Sequence, residues 1–583
     1  MKLKFKLLKY TLTTILIVLL VSCSISKPPK KPKQIKKNDY TYFKEYITWF
    51  VKKQMHEEGI VGLSLALVDG QTIIWQKGFG YEDKEKGINA SENTIYRAGS
   101  ITKTINAMAV MKLAEEQKMD IDKPLKIYLP EFSIKSRFGS INKITPRNIM
   151  THHSGIPGNW LDKMYTKKPI PYTNYVQLIK DEYTAYPPNT ILSYSNLAIT
   201  LLGHAVEKTA NIPYSKFIKT YFLNPLEMNS SSIKSKLQNE ETSKSYANAK
   251  EVKDEYQISK LPAGALNTSV SDLANLAIMI NNNGIFNNKT ILKRNTLNEI
   301  LKVQNKNIVL DLDIKTGLGL FINDKIFNGL DRIYSHEGAT VNHRAYFAST
   351  EKSKLAVIVM SNTENANVHS IAIEMLKQAR NIKIGKNIPL QKQVQTKLKK
   401  SLNLEGTYAS QIGKIDIIKK DKDTYLTEIT DTLIQLKKRN DNKYYAKYML
   451  FDLIPINHQS IKNLSIYTKN IQGKTIIVAD NFGEKNLFAV KIKPKTISQT
   501  WKNRLGTYEI INQLEIKSMQ IAKIIFKIED KFPILEINGI KYILEIINDN
   551  EAIIEGIGRS MRETIRIKNG IVHYQGLQFK LKT

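Results

Sequence analysis

The chain of 583 residues contains a single cysteine, Cys23. A lone thiol excludes an intrachain disulfide, a zinc site built from cysteines and a thiol nucleophile elsewhere in the chain. Acidic residues are also scarce: 54 Asp and Glu stand against 87 Lys and Arg, which gives a net charge of +33. Such a charge suits a polyanionic partner, but the lysines are spread over the whole sequence and no arginine-rich, aromatic-interleaved motif accompanies them. We therefore expect no nucleic-acid partner.

The apolar run near the N-terminus, residues 10–21, is too short for a transmembrane helix, which needs roughly 20 residues. It follows four lysines and has the make-up of an export signal. Its end, Leu20-Val21-Ser22-Cys23, resembles a bacterial lipobox, which implies a signal peptide over residues 1–22 and a lipid on Cys23. An ordinary signal peptide with an unmodified cysteine is the alternative. Residues 23–40, rich in proline and lysine, are expected to form a basic tether that also contacts anionic lipid headgroups.

The pattern of residues 41–382 predicts one α/β domain. A helical pattern after Tyr40 precedes two strands around an Asp69-Gly70 turn, which is typical of a hairpin. Mixed helical and loop segments follow, then two strands within residues 343–362 and a closing helix. We expect a sheet built from both ends of this segment, with helices packed on it. The polar, basic residues 383–401 are expected to be a linker.

Beyond the linker the pattern changes to short alternating runs separated by Asn, Asp and Gly, which predicts antiparallel β structure. The pattern restarts: "EGTY" at Gly406 and "LGTY" at Gly506 each open a strand-rich stretch. Two small β-barrels, over residues 402–495 and 496–583, fit this spacing. One larger β-sandwich is the alternative.

Three short motifs occur in a fixed order within the α/β segment. Ser100 and Lys103 form a Ser-x-x-Lys pattern at the head of a long apolar helix, whereas the other Ser-x-x-Lys matches in this lysine-rich chain lack that context. Tyr194-Ser195-Asn196 lies in a loop before a second apolar helix, and His336-Glu337-Gly338 is expected just before a strand. This ordered set resembles the serine β-lactamase and penicillin-binding protein superfamily, in particular its class C β-lactamase, DD-peptidase and esterase branch.

Further stretches resemble the same branch over about residues 45–380: "MTHHSGIPG" (150–158), "FLNPLEMNSSS" (222–232) and "PAGALNTSVSDLANLAIMINNNG" (262–284). Two of them depart from the family pattern, with Glu227 and Ala263 in place of glycines. The C-terminal β region is similar, more weakly, to the lipocalin-like barrels of D-aminopeptidases.

The resemblance implies the chemistry of the site. Ser100 is expected to be the nucleophile and Lys103, desolvated by the core, its base. Tyr194 is expected to carry a second proton and to ionise more easily because cations lie near it. Asn196 is expected to orient the lysine and a substrate carbonyl. The backbone N–H groups of Ser100 and Ala339 are expected to bind the oxyanion, with Gly338 beside them.

His336 stands where many β-lactamases of this superfamily have the lysine of Lys-Thr-Gly. A neutral or partly charged imidazole at this position is expected to anchor a substrate carboxylate less firmly than a permanent ammonium. This substitution argues against an efficient β-lactamase. The alternative is that His336 only lines the strand edge. His152 and His153 are expected to shape a loop, and the sequence predicts no metal site and no cofactor.

These features favour an exported, lipid-anchored serine hydrolase of the bacterial cell envelope that works through an acyl-enzyme. The favoured activity is that of a DD-carboxypeptidase or D-aminopeptidase on peptidoglycan fragments or other peptides with D-amino acids. An esterase or a weak β-lactamase of the same fold is the nearest alternative, and a non-catalytic binding lipoprotein is another. The oligomeric state stays open.

Overall fold

The computed structural model describes residues 27–235, 242–252, 256–386, 397–398, 403–429, 432–450, 454–456, 464–481, 483–512 and 521–582. The predicted signal peptide and Cys23 lie outside these residues. Of the predicted tether, residues 27–40 contain neither helix nor strand, and the N–H of Asn38 donates to the carbonyl oxygen of Ile382 at 3.2 Å. The end of the tether therefore contacts the last helix of the N-terminal domain (residues 41–384).

An antiparallel sheet of eight strands forms the centre of the N-terminal domain, and it joins both ends of that segment, as the sequence predicts. The hairpin at the Asp69-Gly70 turn is confirmed. The strand Gly62–Asp69 pairs with the late strand Leu355–Ser361, so that Leu65 lies opposite Val359. In spatial order the strands are Lys315–Thr316, Phe321–Asn323, Ile333–Ala339, Arg344–Thr350, Leu355–Ser361, Gly62–Asp69, Thr72–Asp83 and Ile88–Asn89.

Alternating residues of the central strands face two separate apolar cores, as the period of two in a strand requires. Leu63, Leu65 and Leu67 pack with the first and last helices of the domain. Ala66 and Val68 pack on the opposite face with the helices between. The longer helices of the described residues are Thr41–Glu58, Thr102–Glu115, Asn196–Ala210, Val270–Asn281, Arg294–Leu301 and Val368–Ile384.

Shorter elements connect these parts. A second small sheet joins Tyr96–Gly99, Leu266–Thr268 and Ser232–Ile233. Strand pairs join Tyr165–Thr166 to Gln257–Ile258, Tyr246–Ala247 to Lys250–Glu251 and Ile285–Phe286 to Lys289–Thr290. The short helices are Leu125–Tyr128, Ile141–Lys143, Pro146–Met150, Tyr172–Asn174, Tyr175–Leu178, Tyr214–Ile218, Lys219–Leu223, Leu261–Gly264, Val309–Asp311 and, in the β region, Gln499–Lys502.

The C-terminal region forms two antiparallel barrels, as predicted, and the alternative of a single β-sandwich is wrong. Each barrel is closed and has eight strands. In the first barrel the first and last strands pair, and Thr432–Lys438 pairs with Tyr444–Leu450 to complete the ring. Its strands are Gly406–Ser410, Gly413–Lys419, Thr424–Ile429, Thr432–Lys438, Tyr444–Leu450, Leu464–Ile471, Lys474–Asn481 and Glu484–Lys491, and Ile454–Ile456 pairs outside the ring.

The second barrel closes through pairing of its first and last strands. Its strands are Gly506–Ile510, Lys523–Glu529, Phe532–Ile537, Ile540–Asn548, Glu551–Ile554, Thr564–Lys568, Ile571–Tyr574 and Leu577–Leu581. Alternating side chains such as Phe526, Leu535 and Val572 fill its interior. Closure pairs every strand edge, which removes the exposed edges that an open sheet presents.

The three parts of the chain share one apolar cluster. It joins Tyr186 and Ile191 of the N-terminal domain, Ile476 of the first barrel, and Ile534 and Ile557 of the second barrel. Both barrels therefore pack on the N-terminal domain rather than extending away from it. None of the helices in the described residues combines the length and the apolar character needed to cross a bilayer.

Candidate active site

Ser100 lies in the turn between the strand Tyr96–Gly99 and the helix Thr102–Glu115, two residues before the helix begins. This helix is buried on nearly every side, because it runs between the sheet and the other helices. Lys103, in its first turn, has no exposed surface. The Nζ of Lys103 donates to the Oγ of Ser100 at 2.9 Å and to the carbonyl oxygen of Ala263 at 2.7 Å. The sequence pair is therefore also a spatial pair.

Ala263 reaches Lys103 because two helices approach closely. A Cβ added to Gly203, on the helix Asn196–Ala210, would lie 2.2 Å from the side chain of Pro262. Only a glycine leaves room there for the short helix Leu261–Gly264. Burial, and then the positive charges of Arg559 and Lys260, lower the pKa of Lys103 well below its usual value. The lysine is thus held toward its neutral, proton-accepting form, as the sequence predicts.

Tyr194 lies directly before the helix Asn196–Ala210 and faces Lys103, whose Nζ is 5.0 Å from the centre of the phenol ring. His152 packs against the same ring, with centroids 4.1 Å apart. Burial raises the pKa of Tyr194, and this effect outweighs the hydrogen bond with Ser100 and the charge of Arg559. The expectation that nearby cations ease ionisation of Tyr194 is therefore wrong. Tyr194 is a neutral phenol that can donate a proton.

The loop that holds Tyr194 is fixed by the two histidines of the "THHSG" stretch. The N–H of Ser195 donates to Nδ1 of His152 at 3.2 Å. His153 is paired with Asp311 at 2.7 Å, and the other oxygen of Asp311 accepts from the N–H of Leu192 at 2.8 Å. Both histidines shape the loop, in agreement with the sequence interpretation.

Asn196 begins the helix after Tyr194, and its side chain lines the cleft. Its Nδ2 donates to Oδ1 of Asn159 at 2.9 Å. The two hydrogen bonds of the Lys103 Nζ go to Ser100 and Ala263 instead. The structure therefore places Asn196 at the wall of the site with a partner other than the predicted one.

His336 lies within the strand Ile333–Ala339, which leads into the predicted strand at Arg344–Thr350. The strand Ile333–Ala339 borders the Ser100 segment at two glycines. A Cβ on Gly338 would be 1.9 Å from the carbonyl oxygen of Ala98, and a Cβ on Gly99 would be 2.7 Å from the nitrogen of Ala339. Gly99 also has a φ of +54°, which favours glycine. The glycines thus bring Ala339 beside the residue that precedes Ser100.

His336 is buried and its ring is 6.2 Å from the ring of Tyr194. Its Nδ1–H donates to the carbonyl oxygen of Glu337 at 2.6 Å, which leaves Nε2 without a proton. Burial lowers the pKa of His336 to about 4. At neutral pH the side chain is an uncharged imidazole, so it does not supply the cation that the position has in Lys-Thr-Gly enzymes.

Ser100, Tyr194, Asn196, His336, Gly338 and Ala339 line one cleft of about 900 Å³. Both C-terminal barrels reach this cleft: Glu484 comes from the first barrel and Arg559 from the second. Residues as far apart in the chain as Ser100 and Arg559 therefore line one cavity, and the barrels form part of its wall.

The family model described as Beta-lactamase matches residues 48–380 of this chain. The chain belongs to the beta-lactamase family. It is 23% identical over 349 residues to Protein flp of Staphylococcus aureus (strain MRSA252), a match that covers 58% of this chain and 67% of that protein. The fold is similar to that of the octameric penicillin-binding protein homologue from Pyrococcus abyssi (TM-score 0.53, 20% identity, 76% of this chain and 99% of that chain). It is also similar to SurE solved with D-Leu (TM-score 0.55, 16% identity, 76% and 98%).

This beta-lactamase-family protein has two cationic residues in the cleft that sequence reasoning missed. Lys260 is fully buried, donates from Nζ to the carbonyl oxygen of Trp160 at 2.7 Å, and has a pKa lowered by burial to about 7. Arg559 lies in the loop "GIGRSMRE" of the second barrel. The sequence does show an arginine preceded by two glycines between predicted strands, but nothing in it links Arg559 to Tyr194.

The second barrel is also hydrogen-bonded to the active-site loop at Gly158. The carboxylate of Glu563 accepts from the N–H of Gly158 at 2.8 Å, and the carbonyl oxygen of Gly158 accepts from the N–H of Asn196 at 2.9 Å. A single residue, Gly158, thus separates a buried acid of the second barrel from the start of the Asn196 helix.

Proposed function

We propose that this serine hydrolase cleaves peptides containing D-amino acids through an acyl-enzyme on Ser100, as a DD-carboxypeptidase or D-aminopeptidase does. The observation that carries the proposal is the 2.9 Å contact between Lys103 Nζ and Ser100 Oγ, made by a lysine whose pKa burial lowers. A neutral amine at hydrogen-bond distance is the base that a serine hydroxyl needs to become a nucleophile.

The proposed reaction begins when neutral Lys103 takes the proton of the Ser100 hydroxyl as Oγ attacks the substrate carbonyl carbon. The carbonyl oxygen becomes an oxyanion, for which the N–H groups of Ser100 and Ala339 are the proposed donors. When the intermediate collapses, the bond to the leaving group breaks, Tyr194 donates its proton to that group, and the protonated Lys103 restores the phenol. Water then hydrolyses the acyl-enzyme, and Ser100 regains its proton.

Peptide substrates are favoured over β-lactams for two reasons. The neutral His336 lacks the permanent cation of Lys-Thr-Gly enzymes, and the cleft of about 900 Å³ has room for a peptide. The fold similarity to a penicillin-binding protein homologue and to SurE, solved with D-Leu, supports substrates with D-amino acids, including peptidoglycan fragments. An esterase is the second candidate, because a neutral His336 suits a substrate without a carboxylate.

We also propose that the protein is exported and held at the bacterial cell envelope by a lipid on Cys23. The support is the lipobox-like Leu20-Val21-Ser22-Cys23 after a short apolar run. Two acyl chains on such a cysteine would give the stable attachment that a single chain does not.

The test of the proposed function pairs two measurements on purified protein. The first is labelling with a fluorescent penicillin and with a fluorophosphonate, side by side. The second is hydrolysis of an N-acetylated D-dipeptide and of its L-diastereomer. We expect adduct formation on Ser100 and a clear preference for the D-peptide. Equal turnover of both diastereomers, or turnover of neutral esters alone, would favour the esterase.

A further inference from the structure

Arg559 is the residue of the second barrel that lines the cleft beside the reacting groups. Its guanidinium carbon lies 4.9 Å from the centre of the Tyr194 ring. The side chain is exposed to the cleft, and it makes no hydrogen bond or ion pair with any part of the chain that the structure describes. The positive charge of Arg559 disfavours protonation of Lys103 and Lys260 and favours ionisation of Tyr194, so it acts to lower the pKa of each of the three groups. Arg559 therefore lies close to the reacting groups.

The other cationic side chains that line the cleft already have partners. Lys260 donates to Trp160, and Lys315 is paired with Asp324. Arg344 donates to the carbonyl oxygens of Thr340 and His343 at 2.8 and 2.9 Å. His369 is paired with Glu337 at 2.5 Å, and His336 is neutral.

Among the cleft-lining cations of the described residues, Arg559 is thus the one for which the structure shows no hydrogen bond or ion pair with the protein, so its whole guanidinium is open to a ligand.

The loop that carries Arg559 is held on both sides. The hydroxyl of Tyr186, in the N-terminal domain, accepts from the N–H of Gly558 at 3.0 Å and lies 3.1 Å from the carbonyl oxygen of Gly558. A Cβ on Gly558 would be 2.2 Å from the side chain of Gln411 in the first barrel, and the φ of +101° there also favours glycine. Ile557 lies in the apolar cluster shared by the three parts of the chain. The loop therefore presents Arg559 from a fixed backbone.

We propose that Arg559 binds the free carboxylate of a peptide substrate, and that the second barrel thereby selects peptides cleaved next to their C-terminal residue. This inference rests on the proposed function and names its substrate class. A guanidinium presents paired N–H donors that match a carboxylate, and such charge-assisted contacts are stronger than neutral ones. The α-carboxylate of a C-terminal residue lies only two bonds beyond the scissile amide nitrogen. Tyr194 is the proposed proton donor to that nitrogen. A cation beside Tyr194 is therefore placed to hold the carboxylate.

The experiment compares an N-acetylated D-dipeptide with its C-terminal amide, which differs only in the charge that Arg559 would bind. Both are assayed for kcat/KM with the wild type and with Arg559→Gln. Their Kd values are also measured by calorimetry with Ser100→Ala alone and with Ser100→Ala carrying Arg559→Gln, so that binding is read without turnover. We expect Arg559→Gln to lower kcat/KM for the acid about 10- to 100-fold, mainly through KM, and to affect the amide far less. Arg559→Lys should recover part of the loss.

Arg504→Gln is the matched control, because Arg504 is an arginine of the same barrel that stacks on an aromatic ring, Trp501, away from the cleft. It should leave the preference for the acid intact. If Arg559→Gln lowers kcat/KM equally for acid and amide, or if the wild type does not prefer the acid, the inference is wrong. If neither peptide is hydrolysed but the acid binds Ser100→Ala in an Arg559-dependent manner, the proposed peptidase function fails and the carboxylate site stands. No binding and no turnover of either peptide would overturn both.

Discussion

Glu563 and Gly158 are 405 residues apart in sequence, and the carboxylate of Glu563 accepts a 2.8 Å hydrogen bond from the N–H of Gly158. Glu563 is buried, and its other oxygen accepts from Nε2 of Gln575 at 2.5 Å. Burial raises the pKa of Glu563 from its usual 4.5 to about 7, although both hydrogen bonds oppose this change. The contact that joins the second barrel to the active-site loop is therefore sensitive to pH in the neutral range.

Glu563→Gln should make stability less dependent on pH. The folded protein holds the Glu563 proton up to about pH 7, whereas the unfolded chain releases it near pH 4.5. The free energy of unfolding therefore falls as pH rises through this window, by about 3 kcal/mol at most, and is level above it. Gln, which resembles the protonated acid, should remove the fall. The measurement is the Tm at pH 5 and pH 8, with Glu509→Gln, an exposed acid of the same barrel, as control. An unchanged fall in the variant would contradict the assignment to Glu563.

Ser100→Ala should abolish covalent labelling by penicillin and fluorophosphonate and leave the fold intact. Ser100 does not cap the helix, since the residue at the cap is Ile101, and Lys103 keeps its hydrogen bond to Ala263. We expect no mass adduct and a Tm within a few degrees of the wild type, consistent with a cost below ~2 kcal/mol. Ser140→Ala is the control, because Ser140 and Lys143 form the same Ser-x-x-Lys pattern away from the cleft. An adduct on Ser100→Ala would mean that another residue is the nucleophile.

Tyr194→Phe removes the hydroxyl and keeps the ring that packs on His152, Lys103 and Arg559. If the neutral phenol donates a proton to the leaving group, kcat should fall about 10²- to 10⁴-fold. Substrates with a leaving group of low pKa, which need no proton, should lose much less. Tyr214→Phe, which removes a buried hydroxyl without a hydrogen-bond partner in the described residues, is the matched control. A loss independent of the leaving group would assign Tyr194 a different role.

His336→Gln should leave the shape of the pH profile between pH 6 and 9 unchanged, whatever its effect on the absolute rate. The pKa of about 4 means that His336 has already lost its proton throughout this range. The measurement is kcat/KM against pH for the acid and amide peptides. Were a limb of the profile near pH 6.5 to vanish in the variant, His336 would be an imidazolium in the working enzyme, and it would compete with Arg559 as carboxylate anchor.

Cys23→Ser should release the protein from membranes or leave the signal peptide uncleaved, because the proposed acyl chains supply the attachment. The measurement is a detergent partition of cells that express the wild type and the variant, followed by the apparent mass of each form. Ser22→Ala, which keeps the cysteine, is the control. Equal membrane retention of Cys23→Ser would show that another part of the chain holds the protein at the membrane.

The sequence by itself determined the N-terminal fold, the two-barrel region and the proximity of Ser100 to Lys103. These follow from local information: alternation predicts strands, apolar helical spacing predicts buried helices, and a spacing of three residues places two side chains on one helix face. The order of the three motifs along the chain then indicated the resemblance to the β-lactamase and penicillin-binding protein superfamily. Each of these features is carried by residues near one another in the chain.

Only the tertiary structure decided the charges and the outer wall of the site. The sequence predicts that cations ease ionisation of Tyr194, but burial outweighs them and raises its pKa. It predicts a neutral or partly charged imidazole at His336, and burial decides that the ring is neutral. The contacts of Tyr194 with Arg559 and of Gly158 with Glu563 join segments that are far apart in the chain. Desolvation and such contacts depend on what packs around a residue in three dimensions, and no local pattern encodes that.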